Sequence, residues 1–87
     1  SDTTDIHDKA EAELKGLDEK EATYLVGLGK NKLDGAQNLD DPGLTEVEGL
    51  IKRLDELKSM KSGELTNLLN NRKEELQREA RPELRVA

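Results

Sequence analysis

The sequence predicts an all-α protein, on three observations. Leu is by far the commonest apolar residue (fifteen of 87), while Ile and Val together contribute five and there is a single aromatic side chain, Tyr24. Helix formers such as Glu, Lys and Ala fill most of the remainder, and β-branched and aromatic residues, which favour strands, are scarce. Apolar residues recur at three- and four-residue spacing over long stretches, which is the period of a helix with one buried face.

The first helix is expected over DIHDKAEAELKG, residues 5–16. Thr4 or Asp5 can cap it, and its first turn is acidic, as the helix dipole favours. Ile6, Ala10, Leu14 and Leu17 form a narrow stripe. Gly16 marks an expected end, because Asp18 followed by Glu21 has the spacing of a capping box for a second helix, about residues 18–37. That second stretch contains Gly27, Gly29 and Gly35, each costing a helix about 1 kcal/mol relative to Ala. Ala22, Gly29 and Ala36 recur every seven residues, and such a line of small residues lets another helix approach closely. These three positions are the candidate close-packing site. A strand over ATYLVGLG, suggested by alternation of Tyr24, Val26 and Leu28, is disfavoured because no second strand is in view to pair with it.

Asp41-Pro42 is the plainest punctuation in the chain: a turn, then a helix start with Pro tolerated at the first position. Thr45 and Glu48 give a second capping-box spacing. From there Val47, Leu50, Leu54 and Leu57 keep the helical period, and Leu65, Leu68, Leu69 and Leu76 resume it, with Arg72 inside the stripe. The expectation is one long helix, 45–80, stopped before Pro82. The whole reads as a single domain over 1–87: an antiparallel helical hairpin with a short N-terminal helix packed across it, and flexible tails at 1–4 and 83–87. The alternative is a three- or four-helix bundle broken near Gly63.

Composition also bounds function. Residues 1–41 carry eleven acids and five bases, whereas residues 42–87 carry nine of each. An acidic chain without interleaved aromatics argues against nucleic acid and against anionic membrane surfaces as partners. There is no cysteine, and no run approaching 18 apolar residues or resembling a signal peptide. His7, the only histidine, stands among Asp5, Asp8 and Glu11, but a metal site needs three or four convergent ligands and a catalytic triad needs a nucleophile. Gly27-Leu28-Gly29-Lys30 lacks the spacing and closing hydroxyl of a phosphate loop, and Asp34, Asp40 and Asp41 lack the frame of a calcium loop. No cofactor or metal is expected, and no enzyme.

The sequence therefore suggests a protein that works by binding another protein or itself. If the helix 45–80 outruns its neighbour, Leu65, Leu68, Leu69 and Leu76 form an uncovered docking stripe with Arg72 reaching an acid on the partner. If the N-terminal helix covers that stripe instead, it is core. A second functional class is an acidic antagonist that occupies a basic site on its target, suggested by the charge of the first 41 residues.

Overall fold

The computed structural model describes residues 2–81, with side chains from Asp5 onward. Among the described residues the protein is all-α. Three helices follow one another: α1 (Asp2–Gly35), α2 (Pro42–Glu56) and α3 (Lys61–Ala80). Each packs against the other two. They run up, down and up, so that α1 and α3 are parallel and α2 is antiparallel to both. Lys30 meets Glu64 at one level of α1 and α3, and Arg72 reaches the carbonyls of Leu33 and Ala36 further along both. The molecule is a rod of 68 × 22 × 15 Å.

The core is wholly apolar. Ala22, Leu25, Val26 and Leu33 of α1, Ala36 just past its end, Leu44, Val47 and Leu54 of α2, and Leu65, Leu69 and Leu76 of α3 are buried, and no polar or charged residue is buried among the described residues. Leu50, Ile51, Leu57 and Leu68 pack around its edge. The candidate close-packing positions lie at its centre: Ala22 and Ala36 are almost completely enclosed, and a Cβ built on Gly29 would stand 2.7 Å from Leu65 Cδ1. Leu65 itself has no exposed surface, so α3 rests on the backbone of α1 at this point.

Asp41 starts α2. Its backbone is extended and its Oδ1 accepts from Gly43 N–H at 2.8 Å, with Pro42 opening the helix. The other carboxylate oxygen accepts from Gln37 N–H at 3.3 Å, which ties the cap to the start of the α1–α2 loop. Thr45 lies inside α2, so the capping box expected at Thr45 and Glu48 is not formed; Glu48 pairs with Lys73 of α3.

Two expected boundaries are corrected. Residues 45–80 are two helices, as in the alternative architecture, and the break falls at Leu57–Met60 rather than at Gly63, which lies in the first turn of α3. Lys58 takes the left-handed conformation (φ 56°). Its N–H donates to Asp55 O at 2.9 Å, and Ser59 N–H donates to Leu54 O at 3.0 Å. This is a Schellman motif with lysine where glycine is usual. Met60 stands at the N-cap of α3 without a side-chain capping bond, and the hydroxyl of Ser59 before it accepts from Lys61 N–H at 3.2 Å. A left-handed non-glycine residue costs about 1–2 kcal/mol, whereas burying each of Leu65, Leu69 and Leu76 returns about 1.5–3 kcal/mol. Folding back wins.

The opposite correction applies at the N terminus. α1 begins at Asp2, within the expected tail, and passes through Gly16 without interruption; the expected tail at 83–87 lies outside the described residues. No capping box forms at Asp18. Thr23 Oγ1 donates to Glu19 O at 3.0 Å, and Glu21 faces Arg53 of α2. The short helix expected to lie across a hairpin is the first half of α1, and it projects beyond the bundle. Every residue from Asp5 to Lys20 is exposed. The reason is in the sequence. Seven residues before Ala22 and Leu25, on the line of α1 that meets the bundle, stand Lys15 and Asp18; Glu11 stands eleven before Ala22. The bundle-facing line becomes polar, so the bundle cannot extend along it.

Lys58→Gly should stabilise the protein by about 1 kcal/mol, since it relieves the left-handed backbone while keeping both turn hydrogen bonds; an unchanged or lower melting temperature contradicts the motif. Leucine substitutions at two glycines should differ in sign. Gly29→Leu overpacks Leu65 and should cost about 1–3 kcal/mol. Gly16→Leu, where an added Cβ meets nothing within 4 Å, should be neutral or stabilising by up to about 1 kcal/mol. Thermal unfolding of the two variants side by side gives the answer.

Candidate interaction surface

The leucine stripe proposed from sequence as a docking face does not present a face in this structure. Leu65 is 0%, Leu69 4% and Leu76 2% exposed, and Leu68 packs against the same core. Arg72 is half-buried among them. It serves the end of α1: Nε donates to Leu33 O at 3.1 Å and a terminal N–H donates to Ala36 O at 2.7 Å, while Glu75 holds the other side of the guanidinium at 2.9 Å. Carbonyls in the last turn of a helix have no partner within it and carry partial negative charge. The fixed fork of Arg reaches two carbonyls here at once, that of Leu33, which also accepts from Ala36 N–H at 3.2 Å, and that of Ala36 just past the helix.

The exposed apolar surface lies elsewhere, on the projecting half of α1. Ile6 is 69%, Leu14 61%, Leu17 61% and Tyr24 67% exposed. Ile6, Ala10, Leu14 and Leu17 are one stripe by their spacing. Tyr24 follows Leu17 by seven residues, and the half-buried Leu28 follows it by eleven, so the line runs on beside the bundle. At 100° per residue this stripe is rotated by roughly a third of a turn from the line that enters the core. Helix α1 thus has two apolar lines. One is used by α2 and α3, and the other is exposed from Ile6 to Tyr24.

At the root of the projection α1 is anchored by an ion pair. Arg53 of α2 donates to Glu21 through Nε at 2.8 Å and a terminal N–H at 3.3 Å. These bonds hold the Glu21 carboxyl below its usual pKa, and the Glu21 carboxylate raises Arg53 in turn. On the other side of α1, Lys15, Asp18 and Thr23 face Leu57, Met60 and Lys61 across an open notch, with Met60 95% exposed. His7 and Glu11 pair along the helix at 3.0 Å. No cluster of three or more His, Cys, Asp or Glu able to hold a metal occurs among the described residues, and no described helix is long and apolar enough to cross a membrane. The chain matches no protein-family model, no curated protein and no solved structure.

The Glu21–Arg53 contact gives a pH dependence of known sign. A carboxyl whose pKa is depressed by folding stabilises the protein above its unfolded pKa, and the stabilisation is lost as pH falls through the lowered value. Glu21→Gln should therefore reduce the melting temperature at neutral pH, and the difference from the parent should vanish in strong acid. A difference that persists undiminished in acid would mean that the carboxylate charge is not what matters there. Because both groups are exposed, the effect should be small.

Proposed function

We propose that this chain is a non-enzymatic interaction module, in which the three-helix bundle is the base and the projecting half of α1 is the element that docks on another protein. The observation that carries the reading is the stripe of Ile6, Leu14, Leu17 and Tyr24, all more than 60% exposed, on a helix whose residues 5–20 are all exposed. An exposed apolar face at helical spacing is the kind of surface by which a helix enters a groove or pairs with another helix. Fully burying one such side chain is worth about 1.5–3 kcal/mol, against about 0–1 kcal/mol for a surface ion pair, so the stripe outweighs the charges around it in affinity. The docking role assigned from sequence to α3 moves to α1, because α3 spends its leucines on the core.

Stability and binding are thereby separable, and their separation is the test. Leu14→Asp with Leu17→Asp should leave the stability within about 1 kcal/mol of the parent, since neither side chain supports the core. A photo-crosslinking residue at position 17 should give a discrete adduct in a lysate of the source, and the adduct should disappear when Leu14→Asp is added. The same crosslinker at Lys52, exposed on α2, should not give it. Identical adducts from both positions, or an adduct indifferent to Leu14→Asp, would remove the stripe as the docking face.

A further inference from the structure

Half of the net charge of this chain sits on the projecting segment. The chain carries a formal −6, and residues 5–20 hold six acids against three lysines. The bundle does little to neutralise them. Glu13 and Glu19 form no ion pair within 4 Å among the described residues, Asp18 feels Arg53 only at longer range, and the one pair within the segment is His7–Glu11. Glu13, Asp18 and Glu21 flank the apolar stripe, with Lys9 and Lys20 as the nearest cations on α1. Whatever covers Ile6, Leu14 and Leu17 brings its own edges against this surface.

A second copy of the chain fits poorly. It would set two segments of net −3 side by side, and like charges facing each other across a helix pair are unfavourable. A helix with the same kind of apolar stripe but with lysine or arginine along its edges gains at both levels. Its stripe buries against Leu14 and Leu17, and its charges meet Glu13 and Asp18, neither of which is held in an ion pair. Complementary charge of this kind mainly sets partner choice and association rate, leaving most of the affinity to the apolar contact. Resting on the reading of α1 as the docking element, we infer that its occupant is a basic-edged amphipathic helix of another protein.

Two synthetic helical peptides with one leucine stripe test this, one edged with lysine and the other with glutamate, each titrated against the full-length chain. The lysine peptide should bind one to one, at least about tenfold tighter than the glutamate peptide, and should weaken without vanishing at high salt. Leu14→Asp with Leu17→Asp should lose that binding by at least about tenfold although it adds two negative charges; attraction by charge alone demands the opposite, tighter binding. If the two peptides bind equally, or the glutamate peptide binds better, the basic partner is wrong while the docking face stands. If the parent sediments as a concentration-dependent dimer that the lysine peptide cannot disrupt, the occupant is a second copy and the inference is overturned. If the double variant binds the lysine peptide as the parent does, the docking face itself is wrong.

Discussion

Leu65 lies on the bare backbone of Gly29, and most of the architecture follows from that contact. A side chain at position 29 would hold α3 away from α1. With glycine there, Leu65 is completely enclosed, and Leu69 and Leu76 follow it into the core. For α3 to reach this position the chain must reverse after α2, and the reversal needs a left-handed residue. Lys58 supplies it at a cost that the three leucines exceed several-fold. Once α3 is parallel to α1, Arg72 arrives beside the end of α1, where it donates to the carbonyls of Leu33 and Ala36. The turn, the core and the stitching at the end of α1 are thus consequences of one close approach.

The sequence shows this contact more clearly than it shows the break that the contact requires. Small residues at 22, 29 and 36 return once every two turns, the spacing at which one helix lies along another, and Asp41-Pro42 announces a helix start by local chemistry alone. The break at Lys58 has no such mark. Leu54 and Leu65 are eleven residues apart, three turns of one helix, so the leucine pattern stays in phase across the interruption. Gly63 draws attention as a breaker, yet a glycine within a helix costs only about 1 kcal/mol and dictates nothing unless tertiary contacts reward a turn. Gly16 is the mirror case. A break there would return nothing, because the bundle-facing positions of residues 5–20 are Glu11, Lys15 and Asp18.

The candidate surface is half legible in the sequence. Ile6, Ala10, Leu14 and Leu17 are recognisable as a stripe, but a stripe does not reveal whether it points into its own bundle or away. That depends on the angle between it and the core line of the same helix, and the angle becomes visible only once helix 2–35 is known to be continuous. With continuity granted, the positions seven residues before Ala22, Leu25 and Val26 prove to be Lys15, Asp18 and Glu19, all charged. The apolar residues left over must then lie on another side. Leu65, Leu69 and Leu76 mislead for the complementary reason: an amphipathic helix read alone cannot say what covers it.

Tyr24 is the sole aromatic residue of the chain and stands at the junction of projection and bundle, 67% exposed and outside the core. The intrinsic fluorescence of the protein therefore comes from one side chain that folding leaves in water. Unfolding of the bundle moves Tyr24 from one wet environment to another, while a molecule laid along the stripe would remove it from solvent. The protein carries a native optical probe that is nearly blind to its own stability and placed to see its surface being covered.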